Sequence, residues 1–104
     1  TFKRVANITK DIDLSTLGAV NETLFEADAE SALFSAYNRV SVASYVSYEE
    51  ELDALLGLKP QLDRFFDDVM VNAEDVAVRT NRKTLVAYIY RSILKIADIK
   101  EVSI

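Results

Sequence analysis

Apolar residues recur in this chain at helical spacing, in four separate stretches. Leu33, Phe34, Tyr37 and Val40 fall at i, i+1, i+4 and i+7, one face of a 3.6-residue period. They predict a helix from about Asp28 to Tyr45, with Val42, Tyr45 and Val46 leaving its end ambiguous. Ser47-Tyr48-Glu49-Glu50 is a capping box, in which the hydroxyl and the later carboxylate satisfy free backbone N–H groups. It opens a short helix with Leu52, Leu55 and Leu56 inward, ended by Gly57. Pro60 suits the first turn of a third helix, whose core face is Leu62, Phe65, Phe66 and Val69. The fourth helix starts with Asn72 as its cap, gains Glu74 and Asp75 at its positive dipole end, and runs to about Ile96. Phe2 to Lys10 reads as a shorter helix, the end of something upstream. Residues 11–28 show no clean period. Asp11, Asp13, Ser15, Gly18 and Asn21 mark a linker anchored by Leu14, Leu17, Leu24 and Phe25. The expected fold class is all-α, a compact bundle of about four main helices.

The last helix sorts its residues by angle. With Arg79 at zero and about 100° per residue, Val78, Leu85, Val86, Ile89, Ile93 and Ile96 cluster between roughly −120° and −20°. Thr84, Tyr88, Arg91 and Lys95 lie on the far side, Asn81 at that face's other edge, and Lys83 on the flank. Arg82 falls in the middle of the apolar stripe. A buried unpaired charge costs several kcal/mol, so Arg82 must find an anion. Asp67, Asp68 and Asp75 are the expected partners, in a clamp tying one helix end to the next helix start. Arg79, at the core boundary, either pairs with Asp75 or reaches outward to a phosphate.

Composition narrows the class. With 104 residues the chain supports one domain and one core. Two glycines and one proline are too few for a turn-rich β domain. No cysteine means no disulfide and no thiolate metal site, which fits a reducing, cytoplasmic setting. No apolar run is long enough to span a membrane. Opening on Thr1, with Met70 the single methionine, the chain reads as part of a longer protein. The net charge of −5 is not that of a general nucleic-acid binder. Its distribution is uneven. Residues 1–58 hold four basic against ten acidic residues, and residues 59–104 hold eight against seven. A local basic surface in the second half is compatible with that split.

Catalytic patterns are missing. There is no histidine, which removes imidazole acid–base chemistry and His metal sites. There is no Gly-rich phosphate loop, and Ser35, Ser41, Ser44 and Ser47 have no base to activate them. Asp67-Asp68 and Glu74-Asp75 read as helix-end acids rather than a metal cluster. No catalytic residue, metal site or cofactor is expected within these residues. The outward residues Arg91 and Lys95, one turn apart, suit successive phosphates, and Tyr88 offers a ring for an unstacked base. On pattern alone, the same set is an ordinary solvated face.

The string Phe65-Phe66-Asp67-Asp68-Val69-Met70-Val71, followed by Asp75-Val76-Ala77-Val78-Arg79 and Asn81-Arg82, resembles the C-terminal anticodon-binding domain of the bacterial glycyl-tRNA synthetase beta subunit. That domain is of the DALR class, named for an Asp-Ala-Leu-Arg-like string. Leu58-Lys59-Pro60 and the ending Lys95-Ile96-Ala97-Asp98-Ile99 resemble it too, as do Lys3-Arg4-Val5 and Asn7-Ile8 just upstream of it. Val76-Ala77-Val78 departs from a more usual Glu-Ala-Leu, and Lys83 replaces a common Leu. The resemblance implies residues 1–21 as the end of an upstream helix and linker, and residues 22–104 as the anticodon-binding domain. It implies a DALR-like fold, with Arg79, Asn81 and Arg82 at the family's polar positions, and it turns the face read from helix angle and its neighbours, Arg79, Asn81, Lys83, Tyr88, Arg91 and Lys95, into the candidate tRNA surface. It also implies a two-alpha, two-beta assembly, with ATP, Mg²⁺ and glycine handled by the alpha chain. Glycine anticodons present two cytosines that can be read. Two alternatives stay open: a DALR domain of another synthetase, such as the arginyl type, or a helical protein-interaction module docking through its acidic first half.

Overall fold

The computed structural model describes residues 2–71 and 73–102, with side chains as far as Ile96. Five α-helices follow one another: α1 (Phe2–Thr9), α2 (Asp28–Val42), α3 (Tyr48–Leu56), α4 (Lys59–Asp68) and α5 (Val76–Val102). Two single 3₁₀ turns, Leu14–Thr16 and Glu22–Leu24, interrupt the connection between α1 and α2. No strand occurs among the described residues. The fold is all-α, four main helices preceded by a short one.

Local chemistry sets most boundaries. The Ser47 hydroxyl accepts the Glu50 amide at 3.2 Å, and the Glu50 carboxylate accepts the Val46 amide at 2.9 Å. That is the expected capping box, displaced by one residue on its return arm. Gly57 ends α3 in ordinary right-handed geometry, so it supplies no left-handed cap. The chain turns through Leu58 directly into α4, with Pro60 in the first turn where a missing N–H costs nothing. Helix α2 stops at Val42, earlier than the periodicity suggested, and the Tyr45 hydroxyl donates to the Val40 carbonyl at 2.8 Å. The expected cap of α5, Asn72, lies outside the described residues. Asp75 caps that helix, its carboxylate accepting the Ala77 and Val78 amides at 2.9 and 3.3 Å. Helix α5 continues past Ile96 to Val102, since no glycine or proline follows Pro60 to stop it.

One core joins every helix. Val5 of α1, Leu33 of α2, Leu55 of α3, Leu62, Phe65 and Phe66 of α4, and Leu85, Val86, Ile89 and Ile96 of α5 are all buried in it. The predicted apolar faces of α4 and α5 are the buried ones, except that Ile93 is only partly buried, and Ala87 joins them. Phe25 meets Phe34 edge to face at 5.7 Å, fastening the end of the connection to α2. Val5 makes α1 part of this core, and Thr9 closes that helix by donating its hydroxyl to the Val5 carbonyl at 2.9 Å.

Candidate nucleic-acid interface

The connection between α1 and α2 lies along α5 as a strap, and the outward residues of α5 hold it. Asn81 is buried, and its amide grips both sides of Asn21. Its carbonyl oxygen accepts the Asn21 N–H at 2.7 Å, and its Nδ2 donates to the Asn21 carbonyl at 2.9 Å. The Tyr88 hydroxyl donates to the Gly18 carbonyl at 2.6 Å. Arg91 donates from Nη1 to the Leu14 carbonyl at 3.2 Å, and its guanidinium lies 4.7 Å above the Tyr88 ring. The other neighbour of that ring is Tyr37, centroid to centroid 6.4 Å, whose hydroxyl meets Ser92 at 3.2 Å. The face expected to be bare for RNA is therefore partly occupied by the chain's own backbone.

Two of the expected contact residues are already engaged within the chain. Asn81 spends its carbonyl oxygen and one of its two Nδ2 hydrogens on the Asn21 backbone. Tyr88 keeps its ring half-buried, with one partner a guanidinium already in place. Arg79 donates Nη1 to the Ala73 carbonyl at 3.3 Å, while the Asp75 carboxylate is used by backbone amides. Lys83 is half-buried beside Asn7 and Asp11, and Lys95 is exposed at a cavity shared with Tyr37, Tyr48 and Glu51. Among the residues of α5 whose side chains are described, the cationic heads at Lys83 and Lys95 and the unused guanidinium donors of Arg79 and Arg91 form the remaining basic set. At the strap's start, Asp13 accepts Ser15 N–H and hydroxyl at 3.0 and 2.6 Å, and these bonds hold its carboxyl below the usual range.

The clamp around Arg82 exists with different partners. Arg82 is 7% exposed. Its Nη2 sits 3.1 Å from both Glu26 and Glu30, and Nη1 donates to the Met70 carbonyl at 2.7 Å. Asp67, Asp68 and Asp75 are not its ion-pair partners: Asp68 bridges Arg64 at 3.5 Å, and Asp75 caps α5. Glu30 is fully buried, and its Oε1 also accepts the Glu26 and Ala27 amides at 3.0 and 3.1 Å. One carboxylate oxygen thus caps α2, binds α5 and, through Arg82, holds the turn before α5. Glu30 Oε2 and Arg82 Nε are buried without partners among the described residues. Sequence reasoning missed Glu30. The available signal was its position, three residues before Leu33 and seven before Tyr37 on the same apolar face.

Among the described residues no helix is long and apolar enough to cross a membrane, and no group of three or more acidic side chains could hold a metal ion. Fold and surface together define a small all-α domain with a basic remnant along its last helix. No protein-family model and no solved structure matches the chain. Similar sequences do exist. The chain is 35% identical over 103 residues, 99% of its length, to the glycine–tRNA ligase beta subunit of Helicobacter pylori strain G27. It is 42% identical over 106 residues to that of Dechloromonas aromatica, covering 97% of the chain. It is 43% identical over 102 residues to that of Neisseria meningitidis serogroup B, covering 93% of the chain. The chain spans about 15% of the length of these relatives. Over nearly all of its length, it is homologous to a segment of the glycine–tRNA ligase beta subunit.

Proposed function

We propose that this chain is a tRNA-binding, anticodon-recognising domain of a glycyl-tRNA synthetase beta chain, working within a synthetase that joins glycine to its tRNA. One observation carries the reading: the 35–43% identity to glycine–tRNA ligase beta subunits, extending over 93–99% of the chain. The ligase chemistry, with its ATP and Mg²⁺, is assigned to an alpha chain. The domain's part is to grip the RNA. Lys83 and Lys95 hold phosphates, Arg79 and Arg91 add their unused N–H donors, and base edges of a splayed anticodon loop are read by hydrogen bonds. The strap fixes Arg91, so its guanidinium meets RNA preoriented rather than as a free surface chain.

A second reading draws on the turn between α2 and α3. Val42 is 81% exposed and Val46 95%, with Tyr48 beside them. Neighbouring exposed apolar residues mark a contact surface, here for another part of the beta chain or for the alpha chain.

The test is fluorescence anisotropy with a glycine anticodon stem-loop, against a loop with both cytosines replaced, at several salt concentrations. The proposal expects tighter binding to the glycine loop, weakening as salt rises. Equal weak affinity for both loops removes anticodon recognition from this domain.

A further inference from the structure

Helices α2 and α4 pack through buried Leu33, Ala36, Leu62 and Phe65, leaving a groove of about 320 Å³ along their solvent side. Its polar lining is Ser35 and Arg39 from α2 and Gln61 and Arg64 from α4, with Ala32 and Pro60 completing it. The groove has two guanidinium groups and no carboxylate, in a chain of net charge −5. The other described cavities differ. Lys95 and Glu51 line one, Lys83 and Asp11 line a second, and Arg4 lines a third with Asp67 and Asp68.

The arginines have donors to spare. Arg39 is exposed and has no ion pair among the described residues. Arg64 touches Asp68 only through Nε at 3.5 Å, with both side chains half exposed. Such a bridge is weak, and it leaves the four Nη hydrogens free. Ser35 and Gln61 add neutral hydrogen-bonding groups. Gln61 Oε1 is buried without a partner, so no hydrogen bond there holds the amide against turning toward a ligand.

We propose that the α2–α4 groove is a second RNA-backbone site, in which Arg39 and Arg64 bind phosphodiester oxygens. This rests on the RNA-binding reading above and adds a surface outside α5. Planar guanidinium forks match phosphate oxygens, and a backbone contact reads no base.

The probes are a short fluorescein-labelled oligouridylate and the two anticodon stem-loops, titrated by anisotropy against the 104-residue chain and its variants. Arg39→Gln with Arg64→Gln should weaken oligouridylate binding about tenfold per arginine at low salt, and flatten the salt slope by roughly 0.7 for each. Each single variant should carry about half of that change on a logarithmic scale. Lys3→Gln with Lys10→Gln, which removes the same charge from α1 and the turn that follows it, should leave the slope nearly unchanged. Equal affinity and slope in the groove variant and the original chain would overturn the site, as would an equal loss in the α1 control. Competition by inorganic phosphate beyond its ionic-strength effect would make the groove a free-anion site and overturn the RNA assignment. The outcomes separate the two claims. Loss of oligouridylate binding without discrimination between stem-loops sustains the groove and removes anticodon recognition. Discrimination that survives the groove variant unweakened does the reverse, and no binding to any RNA overturns both.

Discussion

Replacing Arg82 by alanine strands a carboxylate in the core. Glu30 is fully buried and keeps only the Glu26 and Ala27 amides on Oε1, while Oε2 has no partner already. The Met70 carbonyl loses its 2.7 Å donor in the same step. Removing one partner of a buried ion pair costs about 3–5 kcal/mol. The Glu26 contact adds little, since that side chain is 66% exposed and water screens it. A domain of this size has about 5–15 kcal/mol in total, and each kcal/mol moves its melting point by roughly 4–8 °C. A loss of about 3 kcal/mol therefore lowers the midpoint by roughly 12 °C or more. Circular dichroism at helical wavelengths measures this directly. Adding Glu30→Gln should recover part of the loss, because glutamine still accepts the two amides and leaves no buried charge. An Arg82→Ala chain that melts within about 2 °C of the original would refute the reasoning, given the expected shift.

Other variants probe the strap and the caps. Asn81→Ala removes both bonds to Asn21 and should cost about 1–3 kcal/mol, with faster hydrogen exchange at the Asn21 amide; unchanged exchange would show that the strap holds itself. Asp75→Ala deletes the cap of α5 and should cost about 0.5–2 kcal/mol in denaturant titration. Arg91→Ala should lower stability modestly, through the lost Leu14 bond and Tyr88 stacking, whereas Lys95→Ala should shift it by less than about 0.5 kcal/mol; equal effects on melting would contradict the distinction.

The helices were readable because their cause is local. The apolar sets 62/65/66/69 and 78/85/86/89/96 are each set by one helix period, and they are the buried faces of α4 and α5. Arg82 announced itself as a charge on an apolar stripe. Its partner did not, because Glu30 lies 52 residues away and reasoning by proximity favoured the nearby aspartates. Two opposite charges misplaced on two apolar faces were the signal for pairing. The strap gave less warning. It docks through the Leu14 and Gly18 carbonyls and the Asn21 backbone, groups that every residue carries and that leave no side-chain pattern. For that reason the outward face of α5 looked emptier in sequence than it is in the fold. The α2–α4 groove was equally hidden, since Arg39 and Arg64 stand on different helices in separate parts of the chain.

The most direct test of the central claim is an amide chemical-shift titration of the chain with the glycine anticodon stem-loop and its cytosine-replaced counterpart. The account predicts saturating shifts with the glycine loop, concentrated around Lys83 and Lys95 of α5 and around Arg39 and Arg64. It predicts smaller shifts with the replaced loop. Shifts gathered at the acidic start of α3, or identical in the two titrations, would contradict it.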